Sequence, residues 1–182
     1  MSGLCIILMG VSGSGKSSVG AALAKVISAK FIDGDDLHPR ANIQKMASGH
    51  PLNDDDRAPW LERLNDAAYS LFHKNETGII VCSALKKRYR DRLRNGNEEG
   101  MIFLYLKGSI EMILQRHQAR AGHFMPTKLL KSQFDALEEP GQDEHDVITV
   151  DIDGTLEQVV KRCATALRAR LTDATNFPLP TA

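Results

Sequence analysis

Between an apolar run and a helical segment the chain reads Gly10-Val11-Ser12-Gly13-Ser14-Gly15-Lys16-Ser17. The spacing G-x-x-x-x-G-K-[ST] is that of a phosphate-binding loop. Its flanks suit that reading. Leu4 to Met9 is a short apolar run of strand type, and Val19, Ala22, Leu23, Val26 and Ile27 recur with helical period. Glycines let the backbone curl so that successive amides point inward, and the helix N-terminus behind them adds partial positive charge toward a phosphate. Lys16 is placed to reach the β- and γ-phosphates of a nucleoside triphosphate, and Ser17 to ligate magnesium. A glycine-rich turn that binds nothing is the alternative, but a match at every position in the required strand and helix context is rarely accidental.

Working outward, further apolar runs read as buried strands at Gly78 to Ser83, Met101 to Leu106 and Val147 to Ile152, with a weaker one at Lys30 to Asp33. Helical patterns lie between them, including Leu156, Val159, Val160, Cys163 and Leu167. Alternating strands and helices predict a single α/β domain: a five-stranded parallel sheet with helices on both faces, whose ligands bind beyond the strands' carboxyl ends. Asn53, three aspartates and Pro59 predict a helix start and a long helix within residues 53 to 77. The phosphate-loop domain is expected over residues 1–171, with a lid at about 116–126, and a loose tail over 172–182.

The 182 residues fit one domain, able to bury about two-thirds of the unfolded chain's surface. Lys plus Arg number 23 and Asp plus Glu 23, so no global positive field exists to hold a nucleic acid, and any anion site must be local. Cys5, Cys82 and Cys163 are widely separated among apolar neighbours and read as reduced core thiols. No Cys/His spacing suits zinc. The run Leu4 to Met9 is too short for a membrane span and lacks a signal peptide's basic flank, so a cytoplasmic protein is expected.

The second strand leads into Asp33-Gly34-Asp35-Asp36-Leu37-His38-Pro39. Carboxylates at a strand's carboxyl end beside a phosphate loop can orient hydrated magnesium and accept a hydroxyl proton. A solvated acidic turn would use the same residues, and the neighbouring phosphate loop favours function.

Four segments carry a family resemblance: GVSGSGKS at 10–17, DGDDLHPRANIQKMASGHPLNDDDRAPWL from Asp33, IIVCSALKKRYRDRLR from Ile79, and RHQARAGHFMP from Arg116. They resemble the bacterial gluconokinases of the P-loop type, over roughly residues 4 to 170. The resemblance implies ATP-dependent phosphorylation of gluconate to 6-phosphogluconate, with magnesium, on a fold similar to nucleoside monophosphate kinases and shikimate kinase. By similarity to the latter, Asp33 lies near magnesium and Asp35 takes the acceptor's hydroxyl proton. A homodimer is compatible with the sequence.

A sugar acid carries one carboxylate and several hydroxyls, so its site needs a basic fork and short polar groups. Arg57, Lys87 and Arg90 are the favoured cations, with His38 as a further polar contact and Lys86 also available. The charges of Lys86 to Arg92 cannot all face one small ligand, and some must form an exposed basic helix face. Arg116 and Arg120, four residues apart, share a helix face and are placed to close over the γ-phosphate and exclude water. An ordinary basic helix end, favoured by the dipole, is the alternative. Trp60 is expected in the core. A kinase of another small metabolite, a nucleotide-driven switch and a nucleic-acid ATPase compete with this reading. The switch lacks an effector extension, and the ATPase lacks positive charge.

Overall fold

The computed structural model describes residues 3–119 and 127–173. Five parallel strands, β1 (Leu4–Met9), β2 (Lys30–Asp33), β3 (Thr77–Val81), β4 (Met101–Lys107) and β5 (Val147–Asp151), form one sheet in the order β2-β3-β1-β4-β5. The described helices are α1 (Lys16–Val26), α2 (Arg40–Ala47), α3 (Asp54–His73), α4 (Lys87–Arg94), α5 (Ile110–Ala119), α6 (Thr127–Ala136) and α7 (Leu156–Asp173). The expected parallel α/β architecture is present.

Every residue of β1 is buried, because its two faces meet different helix layers. Leu4, Ile6 and Leu8 pack with Val19 and Leu23 of α1 and with Val159, Cys163 and Leu167 of α7. Cys5, Ile7 and Met9 pack with Trp60, Leu61 and Leu64 of α3 and with Tyr89 and Leu93 of α4. Period-2 alternation thus divides one strand between two cores. Each fully buried leucine or isoleucine contributes roughly 1.5–3 kcal/mol. The three cysteines are buried and unpaired, as expected.

The chain leaves β1 for the edge strand β2, returns through β3, then crosses to β4. The crevice this reversal opens at the carboxyl ends of β1 and β3 receives the loops that carry polar residues. Gly34 lets the turn after β2 press against β3, since a Cβ there would lie 2.3 Å from the Val81 carbonyl oxygen.

Some boundaries differ from expectation. β3 ends at Val81 rather than Ser83: Cys82 N–H still bonds Leu8 O at 3.1 Å, but Ala84 then takes φ +46° and turns the chain away. α3 starts after Asn53, whose side chain accepts from Asp56 N–H at 2.8 Å while Asp56 accepts from Asn53 N–H at 2.9 Å. Pro59 therefore lies inside α3 rather than at its start. α7 runs to Asp173, two residues past the expected end of the domain at 171. Among the described residues no helix is long and apolar enough to cross a membrane.

Candidate active site

The phosphate loop joins β1 to α1. Gly10, Gly13 and Gly15 take φ of +148°, +83° and +92°, values an L side chain rarely adopts. Lys16 folds back over the loop, its Nζ donating to Gly10 O at 2.8 Å and Val11 O at 2.9 Å. Burial pulls its pKa down to about 8, although Cys82, Asp35 and Asp33 favour the charged form. Ser17 is exposed in the first turn of α1 and lines the same cleft, of about 560 Å³, as Lys16, Asp33, Asp35, His38 and Arg57.

On the opposite wall, Asp33 closes the turn after β2 by accepting Asp35 N–H at 3.0 Å. Asp35 projects into the open cleft. Lost hydration and the like charge of Asp33 raise its pKa, with His38 and Lys16 opposing. His38 is buried and stacks on Trp60, ring centroids 4.3 Å apart and planes 13° from parallel. Asn42 Nδ2 donates to Asp56 O at 2.9 Å and lies 3.2 Å from His38 Nδ1. That nitrogen can only donate, so Nδ1 accepts and the ring proton of neutral His38 sits on Nε2, 3.9 Å from Asp35 Oδ1. Burial lowers the His38 pKa and favours this neutral form. Trp60 completes the support, donating from Nε1 to Gly34 O at 2.8 Å. It belongs to the core as expected, yet it also holds the acidic turn.

Beside the cleft, a cavity of about 170 Å³ is bordered by Arg57, Trp60, Ser83, Lys86, Tyr89 and Gln133, among others. Arg57 Nη1 lies 3.4 Å from Tyr89 Oη, and the Tyr89 hydroxyl donates to Asp54. The cations of Arg57, Lys86 and Arg88 lie 5.6, 5.7 and 5.7 Å from the Tyr89 ring centroid. Arg88 also pairs with Asp54. An anionic acceptor entering here meets excess positive charge.

Two expected acceptor ligands are not in this cavity. Arg90 is fully buried: Nε and Nη2 donate to Glu144 at 2.8 and 2.9 Å, Nη1 to Ala84 O and Leu85 O at 2.9 and 3.2 Å, and Nη2 also to Glu138 O at 2.9 Å. Its donors are spent on the protein. Lys87 is exposed and pairs with Asp91 at 2.9 Å, bordering a different groove with Arg94 and Glu144. The position before it, Lys86, is the one that borders the acceptor cavity. Arg116 donates to Ile152 O and Gly154 O, which ties α5 to the loop after β5. Arg120 and most of the expected lid lie outside the described residues.

Among the described residues no group of three or more His, Cys, Asp or Glu side chains forms a metal cage. One hydroxyl, Ser17, and one carboxylate, Asp33, on a common cleft suit magnesium, which keeps most of its waters and shares substrate phosphates. Sequence reasoning passed over Tyr89 and Gln133. Tyr89 looks like a core aromatic, and Gln133 stands in an unremarkable helix. Lys86 and Lys87 are alike in sequence as basic residues of one run, and only the first borders the cavity.

A phosphate loop, an acidic turn and a basic acceptor cavity around one crevice define a P-loop kinase of small molecules. The protein family described as Shikimate kinase matches residues 12–168. A shikimate kinase structure from Aquifex aeolicus superposes with a TM-score of 0.57 at 19% identity, covering 92% of this chain and 98% of that one, a likeness of fold alone. The thermosensitive gluconokinase of Escherichia coli (strain K12) is 60% identical over 169 residues, 93% of this chain and 90% of that protein. The thermoresistant gluconokinase of the same organism is 59% identical, covering 85% and 87%. The crystal structure of a gluconokinase from Sinorhizobium meliloti 1021 matches with a TM-score of 0.84 at 42% identity, over 94% and 95%. The chain belongs to the gluconokinase family.

Proposed function

We propose that this protein transfers the γ-phosphoryl group of ATP to D-gluconate, giving 6-phospho-D-gluconate. The observation that carries this reading is the shared cleft. Asp35, with a raised pKa, and Lys16 line one crevice, and Arg57 links it to a cavity rich in positive charge that suits a sugar-acid carboxylate. In-line transfer needs little covalent help from the protein, so positioning and charge stabilisation dominate. Lys16 leaves its carbonyl partners for the phosphates and stabilises their developing charge. Asp35 accepts the proton of the attacking hydroxyl, and a raised pKa makes it a stronger base. Neutral His38 presents Nε2–H toward Asp35 across 3.9 Å. Arg57 and Lys86 orient the acceptor's carboxylate. Ser17 and Asp33 would hold Mg²⁺, which supplies charge neutralisation on the phosphates.

A coupled kinase assay across a panel of sugar acids tests the substrate, with gluconate expected to be turned over fastest. Asp35→Asn should lose about 10²- to 10⁴-fold in turnover while still binding ATP. Asp33→Asn should be partly rescued by raised magnesium. Full turnover in Asp35→Asn would exclude it as the base, and preference for another hydroxy acid would move the substrate.

A further inference from the structure

Gln133, on α6, reaches the phosphate loop from the acceptor side: its Oε1 lies 3.3 Å from Ser12 N and 3.5 Å from Ser12 Oγ. Gln133 borders both the main cleft and the acceptor cavity. A backbone N–H only donates, so the carboxamide oxygen must be the atom facing Ser12. That orientation leaves Nε2, a two-proton donor, with no hydrogen-bond partner among the described residues. The residues common to both spaces are Arg57, Trp60, Cys82, Ser83 and Gln133. Trp60 spends its donor on Gly34 O, and burial keeps the Cys82 thiol neutral by pushing its pKa up to about 12. Gln133 therefore brings a donor with no partner among the described residues to the place where the phosphate loop and the acceptor cavity meet.

We infer that Gln133 is a contact for the phosphoryl group in transit: the γ-phosphate takes over the Ser12 N–H that Oε1 now accepts, and the released carboxamide donates through Nε2 to a phosphate oxygen. A charged phosphate oxygen is the stronger acceptor and wins that exchange. Lys16 and the α1 N-terminus gather the phosphate chain from one end of the loop. Ser12, at the end that Gln133 reaches, is left for the terminal phosphate. The inference rests on the kinase reading but not on which acceptor is used.

The near-isosteric Gln133→Glu separates contact from mere bracing. Glutamate keeps an acceptor for Ser12 N–H but replaces the Nε2 donor with negative charge. The contact predicts that Gln133→Glu weakens binding of the β,γ-imido analogue of ATP by about tenfold to a hundredfold and leaves ADP within about twofold, by calorimetry. It also predicts that Gln133→Glu is worse than Gln133→Ala in turnover of gluconate at saturating ATP. A brace predicts that Gln133→Ala loses turnover with no selective loss of the analogue over ADP. Equal effects on the analogue and ADP, or no effect on either, overturn the inference. The calorimetry needs no acceptor, so it stands even if gluconate is replaced by another substrate. Should Gln133→Glu fail to fold, Gln133→Ala must still weaken the analogue selectively, and loss of both nucleotides together overturns the inference.

Discussion

Tyr89 and Arg90 are neighbours on α4, yet the charges gathered around them are balanced in opposite ways. Around Tyr89 stand Arg57, Lys86 and Arg88, with Asp54 as the carboxylate bonded to its hydroxyl. Around Arg90 lies a closed network in which Arg90 and Arg94 meet Glu144, Asp146 and Asp91. Although burial opposes it, the two arginines hold the Glu144 carboxyl down to about 2. Consecutive helical residues point about 100° apart, so one step along α4 separates an open cavity from a sealed core. Matched cations fasten α4 to the segment before β5, and the unmatched ones beside the cavity are available to an anion.

The strongest way to break this comparison is Arg90→Met. Removing one partner of a buried ion pair leaves an undercompensated carboxylate, which costs about 3–5 kcal/mol. Urea denaturation should show that loss, and Arg90→Met combined with Glu144→Gln should recover part of it. If Arg90 instead contacted the acceptor, stability would be kept and the KM for gluconate would rise. Arg90 also holds the carbonyls of Ala84 and Leu85, so its loss should loosen the loop bearing the left-handed Ala84.

Arg57→Ala is expected to act the other way. Stability should change by less than about 1 kcal/mol, while the gluconate KM rises about tenfold to a hundredfold, the range for a lost hydrogen bond to a charged group. Lys86→Met should give the same pattern more weakly. A large melting shift with unchanged KM would place Arg57 with Arg90 among the structural cations.

A smaller effect sharpens the comparison within the cleft. On the acid side, where His38 takes up its proton, its charge lowers the Asp35 pKa, against the larger raising influence of burial. His38→Asn should therefore raise the Asp35 pKa further. Since Asp35 must be ionised to accept a proton, activity is lost as pH falls through its pKa, and the acid limb of kcat/KM should move to higher pH. Well above that limb Asp35 is ionised with or without the imidazole, so turnover there should change little. An unmoved limb would sever His38 from Asp35.

The contrast also explains what could be read in the sequence. The phosphate loop and all five strands were legible because backbone geometry builds them, and glycine spacing and apolar runs report backbone geometry directly. Asp33 and Asp35 were legible through their place after β2. The acceptor side is built from side chains on α3, α4 and α6, where facing depends on how each helix is rotated. Lys86, Lys87 and Arg90 were equivalent as basic residues in one run, and only Lys86 borders the cavity. The partner that removes Arg90 from the site, Glu144, is 54 residues away, beyond the reach of local pattern. Gln133 reaches Ser12 across 121 residues.

The smallest expected effect bears on that lesson most directly. Lys87 opens α4 with its side chain on Asp91, an i,i+4 pair at the surface, and both side chains are about half exposed, 47% and 49%. Such helix pairs are worth about 0.3–0.5 kcal/mol. The backbone N–H of Lys87 donates to Glu138 Oε1 at 2.7 Å, and an alanine keeps that bond. The order of charges is also unfavourable, because a lysine in the first turn opposes the helix dipole, so its removal returns part of the lost pairing. Lys87→Ala should therefore change stability by no more than about 0.5 kcal/mol and leave the gluconate KM within twofold, roughly. A KM rise matching that of Lys86→Met would mean that α4 turns its first residue into the cavity when the acceptor binds, and the division between its two faces would have to be redrawn.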